Sequence, residues 1–154
     1  MQAEDIYLEV LREFVALTGA DPGSLALGNE VSFEFDGLLA FVFMHPVQEA
    51  VVIDVEILQL MEPRAEPTNL ERMLLLHQLN GITRFTHGAQ ALVSVDNMLM
   101  ITQSLPLTGL TGQGLVDWMG QLLDTASDLR STWNDLRSLI AQAGQAMASS
   151  TETP

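Results

Sequence analysis

The side chains able to do chemistry are few. The chain has three histidines and no cysteine, so disulfides, thiolate metal sites and a cysteine nucleophile are excluded. His45, His77 and His87 fall in no metal-ligand spacing, and there is no HExxH. His77, within Leu74-Leu75-Leu76-His77-Gln78-Leu79, reads as a helix-surface or packing residue, and His45 reads as a turn residue beside Pro46. His87 has the clearest chemical alternative: a Ser/His/acid set with Ser94 and Asp96, or a base beside Asp96 or Glu56. No Gly-x-Ser-x-Gly elbow surrounds Ser94, whose place in an alternating run is that of a solvent-facing polar residue. Asp54 and Glu56 share one strand face and read as a solvated pair, and Asp36-Gly37 lacks the ligand series of a calcium loop. Thr108 to Gly114 is glycine-rich, but no lysine follows, which excludes a Walker-type phosphate cradle. No catalytic residue, metal site or cofactor is expected, and a small hydrolase-like enzyme is the minor alternative.

Charge narrows the partners. The 154 residues carry 20 acidic and 6 basic side chains, a formal charge of −14, and every basic residue is arginine. The segment through Arg72 accounts for −11 of that charge. Such a field repels a phosphate backbone and anionic lipid, so neither nucleic acid nor membrane insertion is expected. It suits steering of a polar or basic protein partner. An acidic start at Met1 to Asp5 is unlike a secretory signal, and no apolar run approaches the ~20 residues of a membrane span. The expected location is the cytoplasm. An apolar fraction of 47% supports one well-packed domain.

These side chains need elements to position them. Tyr7, Leu11, Phe14 and Thr18 recur at helical spacing over 4–18, with Gly19 as the stop and Pro22 beyond it. Val31, Phe33 and Phe35 then alternate with polar residues, which is a strand with one dry face. Asp36-Gly37 is a two-residue hairpin signal. Leu38 to Met44 is apolar on both faces and predicts a more central strand; Val51, Ile53, Val55 and Ile57 mark a third. Thr68-Asn69-Leu70-Glu71 reads as a capping box opening a helix that ends at Asn80-Gly81. Ala91 to Val95 and Met98 to Thr102 form a second hairpin, and residues 104–110 a loop holding Pro106. Thr111 is placed to cap a final helix. Its stripe of Leu115, Met119, Leu122, Ala126, Leu129, Trp133, Leu136, Ile140 and Ala143 is heptad-like. The fold class is α+β, ordered α-β-β-β-α-β-β-α, with helices on one face of a largely antiparallel sheet. Residues 1–143 make one domain, and 144–154 a C-terminal tail expected to fray.

Leu38 to Met44 and Met98 to Ile101 hold more apolar groups than one dry face needs, and the eight methionines include adaptable surface candidates. Trp133 belongs to the final stripe; Trp118 lies off it and reads as the better candidate for an intermolecular contact.

The ordered combination resembles the class I type III secretion chaperones, the Tir-chaperone-like family. The resemblance is carried by small size, acidity and element order. It also rests on the leucine-rich helix closed by Asn80, the paired apolar strands around Asp96-Asn97, Ser104-Leu105-Pro106-Leu107 and the long last helix. Gln90-Ala91-Leu92-Val93 departs from the family in lacking a glycine before the fourth strand's apolar pair. The resemblance implies a non-enzymatic, cytoplasmic bacterial homodimer. It would bind the N-terminal segment of an effector protein, keep it soluble and extended, and present it for secretion, with the secretion ATPase as a further partner. Effector contacts are then expected in the region of Tyr7, Leu11, Phe14, Val31, Phe33, Phe35, Leu39, Phe41 and Phe43. Dimer contacts are expected at Leu70, Met73, Leu74, His77, Leu92, Met98 and Met100. A non-enzymatic adaptor or regulatory protein-binding module of similar fold is the nearest alternative.

Overall fold

The computed structural model describes residues 2–21, 30–45, 47–59, 89–94, 96 and 98–151, with backbone alone at 133, 134 and 136–151. Helix α1 spans Ala3–Thr18. Three strands follow: β1 (Val31–Phe35), β2 (Leu38–His45) and β3 (Ala50–Gln59). Then come β4 (Gln90–Val93), β5 (Met98–Pro106) and α2 (Gly112–Thr151). The helix expected over Leu70 to Leu79 lies outside the described residues.

Each boundary has a local cause. Glu4 and Asp5 occupy the first turn of α1, where carboxylates complement the exposed N–H groups. Gly19 ends the helix with φ 67°, the left-handed conformation glycine adopts without a Cβ penalty, and its N–H bonds to the Val15 carbonyl. Asp36 and Gly37 both have positive φ, at 49° and 80°, which is the two-residue turn whose twist matches the flanking strands. The Nδ1 of His45 accepts a hydrogen bond from the Gln48 N–H at 3.2 Å, so this histidine does organise the turn after β2. Thr111 caps α2, its hydroxyl accepting from the Gly114 N–H at 3.0 Å.

The sheet is antiparallel throughout, in the order β1-β2-β3-β5-β4. The second hairpin therefore docks by its later strand, β5, against β3. β5 runs to Pro106, through residues that read as loop, because Ala50 to Ile53 pair with that stretch. Pro106 sits at the strand's last position, where a missing N–H does little harm. The register shifts between Glu56 and Leu58.

Both helices contribute to one core with one face of the sheet. Tyr7, Leu11 and Phe14 of α1 and Leu115, Met119, Leu122 and Ala126 of α2 meet Val31, Phe33, Ala40, Val42, Ile53, Val55, Leu99 and Ile101. The ring of Phe14 meets that of Phe33 edge-on at 5.0 Å. Burying such a ring contributes roughly 2–3 kcal/mol.

Helix α2 is longer than its stripe suggests. Its 40 residues extend about 60 Å. It continues through Gly144, in the stretch expected to fray, to Thr151. A lone glycine inside a helix costs only about 1 kcal/mol.

Candidate functional site

The edge of the sheet follows from the first hairpin. The two-residue turn makes Phe35 and Leu38 the pair that closes it. In an antiparallel ladder, pairs alternate between exchanging hydrogen bonds and turning them away. Val31, Phe33 and Phe35 therefore bond to β2, whereas Ser32 and Glu34 turn their backbone N–H and C=O groups outward. Among the described residues no strand pairs with that outer side of β1. Beside it lies an open cleft of about 520 Å³, lined by Ala20, Asp21, Ser32, Phe33, Glu34, Phe35 and Leu39.

The face of the sheet opposite the helices has its own composition. Glu34, Leu39, Glu56, Met100 and Leu92 form one row across the strands; Ser32, Phe41, Asp54, Thr102 and Gln90 form the next. Phe43, Val52 and Ser104 continue it. Leu39, Phe41, Phe43, Val52, Leu92 and Met100 are half-buried, and none belongs to the helix-side core. Two apolar regions thus flank Asp54 and Glu56 on the central strand.

The nine residues expected at the effector surface separate. Tyr7, Leu11, Phe14, Val31 and Phe33 are between 0% and 2% exposed, so they support the surface from inside the core. The Tyr7 hydroxyl donates to the Val42 carbonyl at 3.2 Å, tying α1 to β2. Burial, with the Glu30 carboxylate second, raises its pKa well above the usual phenol range. Phe35 is half-buried at the cleft, stacked on Phe33 with ring centres 6.1 Å apart. Leu39, Phe41 and Phe43 lie on the opposite, open face. Of the expected dimer residues, Leu70, Met73, Leu74 and His77 are outside the described residues; Leu92, Met98 and Met100 are half-buried in β4 and β5.

Other candidates have structural duties. Trp118 is 5% exposed, and its indole N–H donates to the Gln103 Oε1 at 2.7 Å, which corrects its reading as an intermolecular contact. The heptad stripe understates the buried band, because α2 packs against both α1 and the sheet. The Ser94 hydroxyl accepts from the Met98 N–H at 3.1 Å, while the Ser94 N–H donates to the Met98 carbonyl. That side chain closes the β4–β5 turn. Asp96 lends its carbonyl to the Gln59 amide. His77 and His87 lie outside the described residues. Among the described residues, no three His, Cys, Asp or Glu side chains gather as metal ligands, and no helix is long and apolar enough to cross a membrane.

The sequence reading missed the backbone of Ser32 and Glu34, and Asp21 at the cleft. The turn chemistry and alternation carry the signal for the first two; knowing that β1 is an edge requires the sheet order.

The sequence matches no protein-family profile and no curated protein. Solved structures do match in three dimensions. The ExsC-ExsE complex gives a TM-score of 0.68 at 16% identity, covering 85% of this chain and 96% of that one. The HopA1-SchA chaperone-effector complex gives 0.62 at 16% identity, covering 82% and 94%. The Yersinia pestis type III secretion chaperone SycH, in complex with a stable fragment of YscM2, gives 0.56 at 17% identity, covering 80% and 98%. The chain thus has the α+β fold of the type III secretion chaperones.

Proposed function

We propose that this protein is a cytoplasmic, non-enzymatic secretion chaperone. It binds a segment near the N-terminus of an effector protein and keeps it extended for export. The observation that carries the reading is the outer edge of β1, where Ser32 and Glu34 present backbone groups to an open cleft. An added strand would satisfy those groups, and its neighbours would rest on Leu39, Phe41 and Phe43. Burying an apolar segment this way withholds it from aggregation. The shared fold adds support, since the structures it resembles are themselves chaperone complexes. Residues 1–143 act as one domain, and two copies associate through Leu92, Met98 and Met100 with Leu70, Met73, Leu74 and His77. The secretion ATPase is the further partner at delivery.

The test is isolation of the native complex from the host, followed by limited proteolysis and mass spectrometry. One protected stretch in the first hundred or so residues of a partner is the expected result. A partner protected only as a folded domain replaces the reading with that of an adaptor. Ser32→Pro locates the contact: it removes an outward N–H while leaving the β1–β2 ladder intact, and should release the partner.

A further inference from the structure

We infer that the strand taken up along β1 carries an arginine or lysine opposite Glu34, with apolar side chains at the alternate positions on either side. The inference rests on the strand-addition reading above and specifies the chemistry of that strand. Side chains of an added strand alternate between the two sheet faces. On the helix side they would meet Phe35, half-buried and stacked on Phe33, an apolar neighbour. On the open side they would meet Ser32 and Glu34. Among the described residues the row running outward through Leu39 ends at Glu34, so the next residue in that row belongs to the added strand. Asp21 lines the same cleft, and among the described residues no cationic side chain does. Opposite charges facing each other across strands attract, and like charges repel. With −11 of the chain's −14 charge in the segment through Arg72, an acidic client strand is repelled further.

The same geometry disfavours a second copy of this chain as the occupant. Antiparallel pairing of two β1 edges would bring the Glu34 side chains of both copies onto one face without a cation between them.

The experiment uses three fluorescein-labelled ten-residue peptides of alternating valine and serine, one central serine replaced by arginine, glutamine or glutamate. Each is titrated by anisotropy against the full chain and against Glu34→Arg and Ser32→Pro, whose folding is checked by circular dichroism. The expected result is about tenfold tighter binding of the arginine peptide than of the glutamate peptide. That order should reverse in Glu34→Arg, weaken with salt, and vanish with all binding in Ser32→Pro. Equal binding of the three peptides, still abolished by Ser32→Pro, overturns the charge preference and leaves strand addition standing. Binding indifferent to Ser32→Pro, or no binding of any peptide, overturns both. Self-association of the peptide-free chain that Ser32→Pro abolishes makes a second copy the occupant and overturns the inference.

Discussion

The carboxylate of Glu13, late in α1, accepts a hydrogen bond at 3.0 Å from the backbone N–H of Gly112, the first residue of α2, 99 positions further along the chain. Together with the Thr111 hydroxyl it satisfies two of the donors a helix leaves open at its start. The contact needs glycine for its closeness: a Cβ at Gly112 would stand 2.3 Å from the Glu13 Cβ and 3.1 Å from the Glu13 carbonyl carbon. Gly112→Ala should therefore cost about 1–3 kcal/mol by forcing the two helices apart. Glu13→Ala should cost about 1 kcal/mol through loss of the cap alone. Urea unfolding of both variants checks the pair, and a neutral Gly112→Ala would refute the close approach.

Tyr7 is the only tyrosine, which makes it a clean optical probe. Burial raises its pKa in the folded state, so the folded chain holds the phenolic proton more tightly than the unfolded chain does. The resulting stability is fully present below the unfolded value of 10.0 and declines as pH rises above it. Phenolate absorbance in an alkaline titration should appear together with unfolding, and not before it. Absorbance rising while the far-ultraviolet circular dichroism stays native would show an accessible hydroxyl.

Trp118→Phe keeps most of the buried ring but removes the donor to Gln103. A loss of about 1–2 kcal/mol is expected, without loss of the fold. In the wild-type chain Trp118 fluorescence should resist acrylamide quenching, and a Trp133→Phe background isolates that signal.

The two faces of the sheet should answer differently to the same substitution. Phe33→Ser removes a ring from the core and should cost about 3–5 kcal/mol. Phe41→Ser acts on the half-buried opposite face and should cost under ~1 kcal/mol while weakening retention of the bound segment. Denaturation and a pull-down with the co-purified partner separate the two effects.

Association of two copies predicts a particle of about 34 kDa, from a chain of 16.8 kDa. Leu92→Asp combined with Met100→Asp places two charges side by side on β4 and β5. Light scattering should then return the single-chain mass, with the circular dichroism of α1 and α2 retained.

The periodicities of α1, β1 and β3 stand in the sequence almost residue for residue, because each has one dry face. β2 is apolar on both faces, so its own pattern cannot say which side meets the helices. The turn decides it: two residues between Phe35 and Leu38 put odd positions of β1 with even positions of β2. By that parity Val31 and Phe33 face the core while Leu39, Phe41 and Phe43 face away, which separates residues grouped as one effector region. Parity is a local inference and was open to the sequence reading. That β5 lies between β3 and β4 was not, since no local signal records which strand of a later hairpin docks on an earlier sheet. Trp118 was misplaced for a similar reason: a one-line stripe describes a helix with a single neighbour, and α2 has two.

The order of the strands also bears on how the chain is made. β1, β2 and β3 are consecutive and pair by short turns, so they can assemble while later residues are still being synthesised. The helix that covers their inner face together with α1 starts only at Gly112, and the strand that pairs with β3's free side ends only six residues earlier. A nascent chain that has reached only β3 therefore lacks the α2 residues that share a core with Ile53 and Val55 in the finished fold. For a protein proposed to shelter others from aggregation, the vulnerable interval of its own life is translation, and it closes when α2 arrives.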